Sequence, residues 1–68
     1  MSEYEAGWRF QNAHMKENGR TGIMRTRAES EEYARSQIKC AVSRYLFGTT
    51  AYQTYVNITG LAEVNSHG

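Results

Sequence analysis

Cys40 is the single cysteine of a 68-residue chain. No internal disulfide can form, and no zinc site built from several cysteines can form either. A chain this short buries only about 60% of the surface that its unfolded form exposes. Without a staple, its stability must come from strands and helices that each hide one apolar face, or from association with a second body. The composition allows this: 40% of the residues are hydrophobic and 22% charged, the balance of an ordinary globular domain rather than a disordered tail.

The first apolar pattern has period two. Tyr4, Ala6, Trp8 and Phe10 alternate with Glu3, Glu5, Gly7, Arg9 and Gln11, which predicts a strand with one buried face, taken here from Glu3 to Met15. Gly7 lacks a side chain to pack and marks a candidate bulge. Asn18-Gly19, within Lys16–Arg20, supplies the positive φ of a hairpin turn. A second strand follows over Thr21–Ala28. A two-residue loop at Asn18-Gly19 would turn Arg25 and Arg27 to the face of Trp8 and Phe10, where an unpaired guanidinium costs several kcal/mol. A three-residue loop with a bulge at Gly19 shifts the pairing by one and puts Met24 and Ala28 there instead. The bulged form is the expectation.

The pattern then changes to a helical one. Ser30 is a good N-cap, and Glu31 and Glu32 complement the helix dipole, as does the preceding Glu29. Thr26-x-x-Glu29 is a competing capping box one turn earlier. Gly48 is suited to end the helix in a left-handed conformation. Between the caps, Ala34, Ile38, Ala41, Val42, Tyr45 and Leu46 share one face. A third strand is expected over Thr50–Leu61, with Tyr52, Val56 and Ile58 on one face and Ala51, Gln53, Tyr55, Asn57 and Thr59 on the other. The tail, about residues 62–68, is expected to fray.

These elements predict one α+β domain spanning residues 1–68, of ββαβ type. A crossover through a helix favours parallel strands 2 and 3. Strand 1, with the bulkiest apolar pair, belongs between them. The sheet order is then 2-1-3, with the helix on one face and the other face open.

Few residues suggest catalysis. All seven acids are glutamate, so a Ser-His-Asp triad cannot be assembled and Asp-based metal loops are absent. Gly19 and Gly22 sit in a hairpin, not in a phosphate loop between strand and helix. A Cys40–His14 dyad is the remaining nucleophilic candidate, but Cys40 lies mid-helix and reads as a plain helix residue. No catalytic residue, cofactor or metal is expected. The N-terminus carries Glu3 and Glu5 where a secretory signal has basic residues, and no apolar run approaches a membrane span. A cytosolic location follows, under which Asn57-Ile58-Thr59 is a chance match to a glycosylation site.

Two surfaces are candidates for binding. The arginines Arg9, Arg20, Arg25 and Arg27 all fall on the hairpin. Arg9, Arg25 and Arg27 are expected to share the open face with Gln11, Gln53, Tyr55 and Asn57, as a protein-binding surface or as a base-stacking one. The net charge of +1 weighs against nucleic acid. On the helix, Tyr33, Cys40 and Phe47 recur at heptad spacing with Gln37 and Arg44 between them. This stripe is a candidate seam for a homodimer, unless Phe47 folds back under the C-terminal loop.

The segment Arg27-Ala28-Glu29-Ser30-Glu31-Glu32-Tyr33-Ala34 resembles the strand-to-helix junction of many tiny phage-encoded proteins, small anti-CRISPR proteins among them. The likeness extends in layout over residues 8–58 and in sequence over this junction alone. The chain departs from those inhibitors that mimic DNA, because it has no strongly acidic surface. The resemblance carries over no functional residue. It implies a non-catalytic inhibitor that occludes a functional surface of a host protein complex, with RNA or DNA binding through the same sheet face as the alternative.

Overall fold

The computed structural model describes residues 1–64. Strands β1 (Ser2–Phe10), β2 (Thr21–Ala28) and β3 (Val56–Val64) form one sheet in the order β2-β1-β3, and helix α1 (Glu31–Phe47) packs on one face. Both neighbours run antiparallel to β1, so β2 and β3 are parallel to each other. The even positions of β1 build the core. Ala6, Trp8 and Phe10 pack with Ile38, Val42 and Val56, while Tyr4 packs with Ala28 and Ala34; Leu61 touches both clusters.

The hairpin confirms the expected faces and corrects the loop. Gly19 N–H donates to the Phe10 carbonyl (2.7 Å), and Phe10 N–H donates to the Arg20 carbonyl (2.8 Å). Gly19 therefore occupies the left-handed position of a bulge, at φ 89°. Met24 falls opposite Ala6 on the core side, and Arg25 and Arg27 fall opposite Glu5 and Glu3 on the outer side. The strand, however, ends at Phe10 rather than Met15. Alternation breaks there, because Asn12 occupies the next core-facing position. Asn12 instead organises the loop: its N–H donates to Asn18 Oδ1 (2.8 Å), and its own Oδ1 accepts from His14 N–H (3.0 Å).

Ser30, not Thr26, caps the helix: its Oγ accepts from Tyr33 N–H (3.3 Å). Thr26 lies in β2 and donates its hydroxyl to Gln37 Oε1 (2.6 Å). Gly48, at φ 75°, closes the other end with its N–H on the Arg44 carbonyl (2.7 Å). Ala34, Ile38 and Val42 are buried as the helical spacing predicts, but Tyr45 is 67% exposed. The buried neighbour of Val42 is Ser43, a polar residue that the spacing of apolar side chains does not reveal.

Ser43 explains why residues 50–55 are not a strand. Its hydroxyl donates to the Thr49 carbonyl and accepts from Tyr52 N–H (3.1 Å). Thr49 Oγ1 accepts from Ala51 N–H (3.3 Å). These bonds wind Thr50–Tyr55 into a 3₁₀ turn against the end of α1, and the Tyr52 ring packs on Phe47 at 4.6 Å. β3 starts only at Val56. It continues to Val64, so residues 62–64 are paired rather than frayed, and residues 65–68 lie outside the described residues. A bulge at Thr59, opposite the Gly7–Trp8 step, lets Val56 and Ile58 face the core and brings Leu61 opposite Ala6. The irregularity expected at Gly7 thus sits on the strand facing it.

Candidate functional site

With α1 on one side, the odd positions of β1 and β2 form the uncovered face. Its cross-strand rows, read from β3 through β1 to β2, are Val64–Glu3–Arg27, Ala62–Glu5–Arg25, Gly60–Gly7–Ile23 and Asn57–Arg9–Thr21. Period-two alternation places the charged residues here, because each shares its strand with a neighbour that needs the core.

The rows differ in character. Arg25 reaches Glu3 and Glu5, both at 3.5 Å, with its side chain 57% exposed. Ion pairs this long and this wet contribute under about 1 kcal/mol, so they orient Arg25 more than they stabilise the fold. Arg27 and Arg9 are exposed and make no ion pair among the described residues. Between the charged rows lie Gly7, which the Thr59 hydroxyl covers, and Gly60, which is open; Ile23 on the β2 flank is 71% exposed. At the far end, Asn57 Nδ2 donates to Gln11 Oε1 (2.6 Å).

Arg9, Arg25, Arg27 and Asn57 thus fall on one face as expected, Arg9 and Asn57 at one end and Arg25 and Arg27 toward the other. Gln53 and Tyr55 are not. Both belong to the 3₁₀ turn; Gln53 Oε1 accepts from Cys40 Sγ (3.2 Å), and the Tyr55 ring meets the edge of Phe10 at 6.0 Å. Among the described residues the face therefore has no aromatic platform beside its arginines.

The helical stripe is also broken up. Tyr33 and Arg44 are exposed, but Cys40 is half-buried against Gln53, and the Phe47 ring packs on Phe10 at 5.2 Å. Phe47 folds back under the C-terminal segment, as its alternative reading allowed, and serves the core instead of a seam. His14 lies exposed in the loop after β1. Among the described residues no group of three or more His, Cys, Asp or Glu is placed to hold a metal ion, and no helix is long and apolar enough to cross a membrane.

One feature escapes sequence reasoning. The Trp8 indole crosses the strand opposite and lies where a Cβ on Gly22 would be, with Nε1 only 2.9 Å from that point. Trp8 is 3% exposed, and its buried Nε1 finds no acceptor among the described residues. Beside it a cleft of about 240 Å³ wraps the start of β2, lined by Trp8, Arg20, Gly22, Ile23, Met24 and Tyr45. The signal for it was Tyr45, a large residue on the margin of the apolar stripe. The chain matches no family model, no curated protein and no solved structure.

Proposed function

We propose that this protein is a non-catalytic interaction module. It binds a host protein through the uncovered sheet face and occludes a functional surface of that protein, acting in the host cytosol in the manner of small phage inhibitors of the anti-CRISPR type. The observation that carries this reading is the interleaving of both charge signs around an exposed apolar centre. Glu3 and Glu5 sit in the same rows as Arg27 and Arg25, and Ile23 stands exposed in the next row, whose far end at Gly60 is open. A polar rim around an apolar patch suits a protein partner. A phosphate backbone would meet the two carboxylates as well as the arginines, and without Tyr55 no ring is available on this face to stack bases.

The test is capture from a host-cell extract with the unmodified protein and with the charge reversals Arg9→Glu and Arg27→Glu. Both sites are exposed, so Arg9→Glu should change stability by no more than about 0.5 kcal/mol, and Arg27→Glu, which sets a carboxylate opposite Glu3, should cost at most about 1 kcal/mol. A specific protein retained by the unmodified chain and lost with either variant supports the module. Retained nucleic acid, seen as a raised ratio of absorbance at 260 to 280 nm and released by salt, would replace it with the RNA- or DNA-binding alternative. Capture that survives both reversals removes this face.

A further inference from the structure

β2 is an edge strand, and its outer side is chemically incomplete. Phe10 directs both its N–H and its carbonyl toward β2. Backbone direction alternates along a strand, so the even residues of β2 pair inward with β1. The N–H and carbonyl groups of Thr21, Ile23, Arg25 and Arg27 consequently point outward, and among the described residues no strand lies beyond them. β3 is the other edge, but its bulge at Thr59 distorts the ladder, a device that discourages pairing. The register of β2 with β1 runs without a shift from Thr21 to Ala28.

We propose that this edge accepts an extended peptide in antiparallel register, and that the peptide alternates acidic and apolar residues. β1 shows what suits one flank of β2, since it sets Glu3 and Glu5 against Arg27 and Arg25. Arg25 is shared by the two carboxylates and Arg27 engages neither, so an acidic strand on the other flank completes the row. Alternate residues of that strand turn to the helix side, where the cleft of about 240 Å³ offers Trp8, Met24 and the exposed Tyr45 as apolar walls. The nitrogen-bearing edge of the indole faces this same strand over Gly22, with its N–H unpaired among the described residues. A second copy of the chain is the wrong occupant. Antiparallel overlap of two β2 edges sets arginines directly opposite or diagonal to arginines, which is unfavourable. The peptide site rests on the interaction-module reading in kind, but it uses the strand edge and not the open face.

A short blocked peptide alternating leucine and glutamate is the probe, in three forms: unmodified, N-methylated at the glutamates, and N-methylated at the leucines. In antiparallel pairing the residues whose side chains join the arginine face direct their amides at β2, so only methylated glutamates block the ladder. Trp8 is the single tryptophan, and its emission reports occupancy of the cleft. The unmodified and leucine-methylated peptides are expected to bind alike and to slow amide exchange at Ile23 and Arg25. The glutamate-methylated form should bind about tenfold or more weakly, since it lacks the bridging N–H groups. Equal binding by the two methylated forms overturns the proposal, as does an emission change without protected amides. A dimer that the peptide cannot dissociate assigns the edge to a second copy and also overturns it. The peptide experiment needs no captured partner, so its failure leaves the open-face contact standing, and loss of that contact leaves the peptide result standing.

Discussion

At Gly22 the chain needs a residue without a side chain, and the reason is Trp8. A Cβ there would lie 2.7–2.9 Å from three atoms of the indole. The ring is rigid and already buried against Ile38 and Val42, so it cannot yield as a flexible side chain would. Gly22→Val is therefore expected to push the indole out of the core and cost about 1–3 kcal/mol, as overpacking does. Chemical denaturation followed by the emission of Trp8 reads both effects, and an unchanged midpoint with unchanged emission would show that the contact is not tight. Ser43 is the other residue whose role is local and exact in kind: one hydroxyl serves both the Thr49 carbonyl and Tyr52 N–H.

At the scale of elements, the match between β1 and β3 depends on a bulge accommodated by a glycine. Thr59 is the extra residue, and its Oγ1 lies 2.6 Å from where a Gly7 Cβ would be. Gly7→Ala should destabilise by about 1–3 kcal/mol. Thr59→Ala removes the hydroxyl and should recover most of that loss in the double variant. The coupling is measurable as a double-mutant cycle, in which residues in direct contact show interaction energies of about 0.5–3 kcal/mol. Strictly additive effects would mean that the bulge relaxes independently of Gly7. The helix is held more conventionally, by Ser30 and Gly48 at its ends and by Ala34, Ile38 and Val42 along its buried stripe.

As a whole molecule the protein is a two-layer body of 42 × 18 × 16 Å. That thickness matches one helix on one sheet, the two layers that the described residues form. It also leaves no spare core: Phe10, Phe47 and Tyr52 form a single aromatic chain that locks the end of α1 and the 3₁₀ turn onto β1. A domain of this size has a stability of roughly 3–10 kcal/mol by the usual per-residue range. Phe47→Glu would remove a partly buried aromatic contact with the core and put a charge in its place, at a cost on the order of 2–3 kcal/mol. The expected result is a large fall in the denaturation midpoint by circular dichroism. A protein that keeps its midpoint and only changes its sedimentation mass would return Phe47 to the dimer seam.

The order of elements, the sheet order 2-1-3, the helix caps and the outward placement of Arg25 and Arg27 were all legible in the sequence. Each follows from local rules: alternation, capping chemistry, and the cost of burying a guanidinium beside Trp8. The same rules brought Arg9 and Asn57 to the open face. They misplaced Gln53, Tyr55, Tyr45, Cys40 and Phe47, because the 3₁₀ turn is decided by one buried hydroxyl, Ser43, and by the stacking of Phe47 between Tyr52 and the sequence-distant Phe10, and the turn carries Gln53 to Cys40. Periodicity records which side of its own element a residue occupies, whereas an isolated hydroxyl in the core or an indole lying over a glycine becomes visible only when two elements meet. That meeting of Trp8 with Gly22, beneath a strand edge left free by the topology, is what tertiary structure alone supplied.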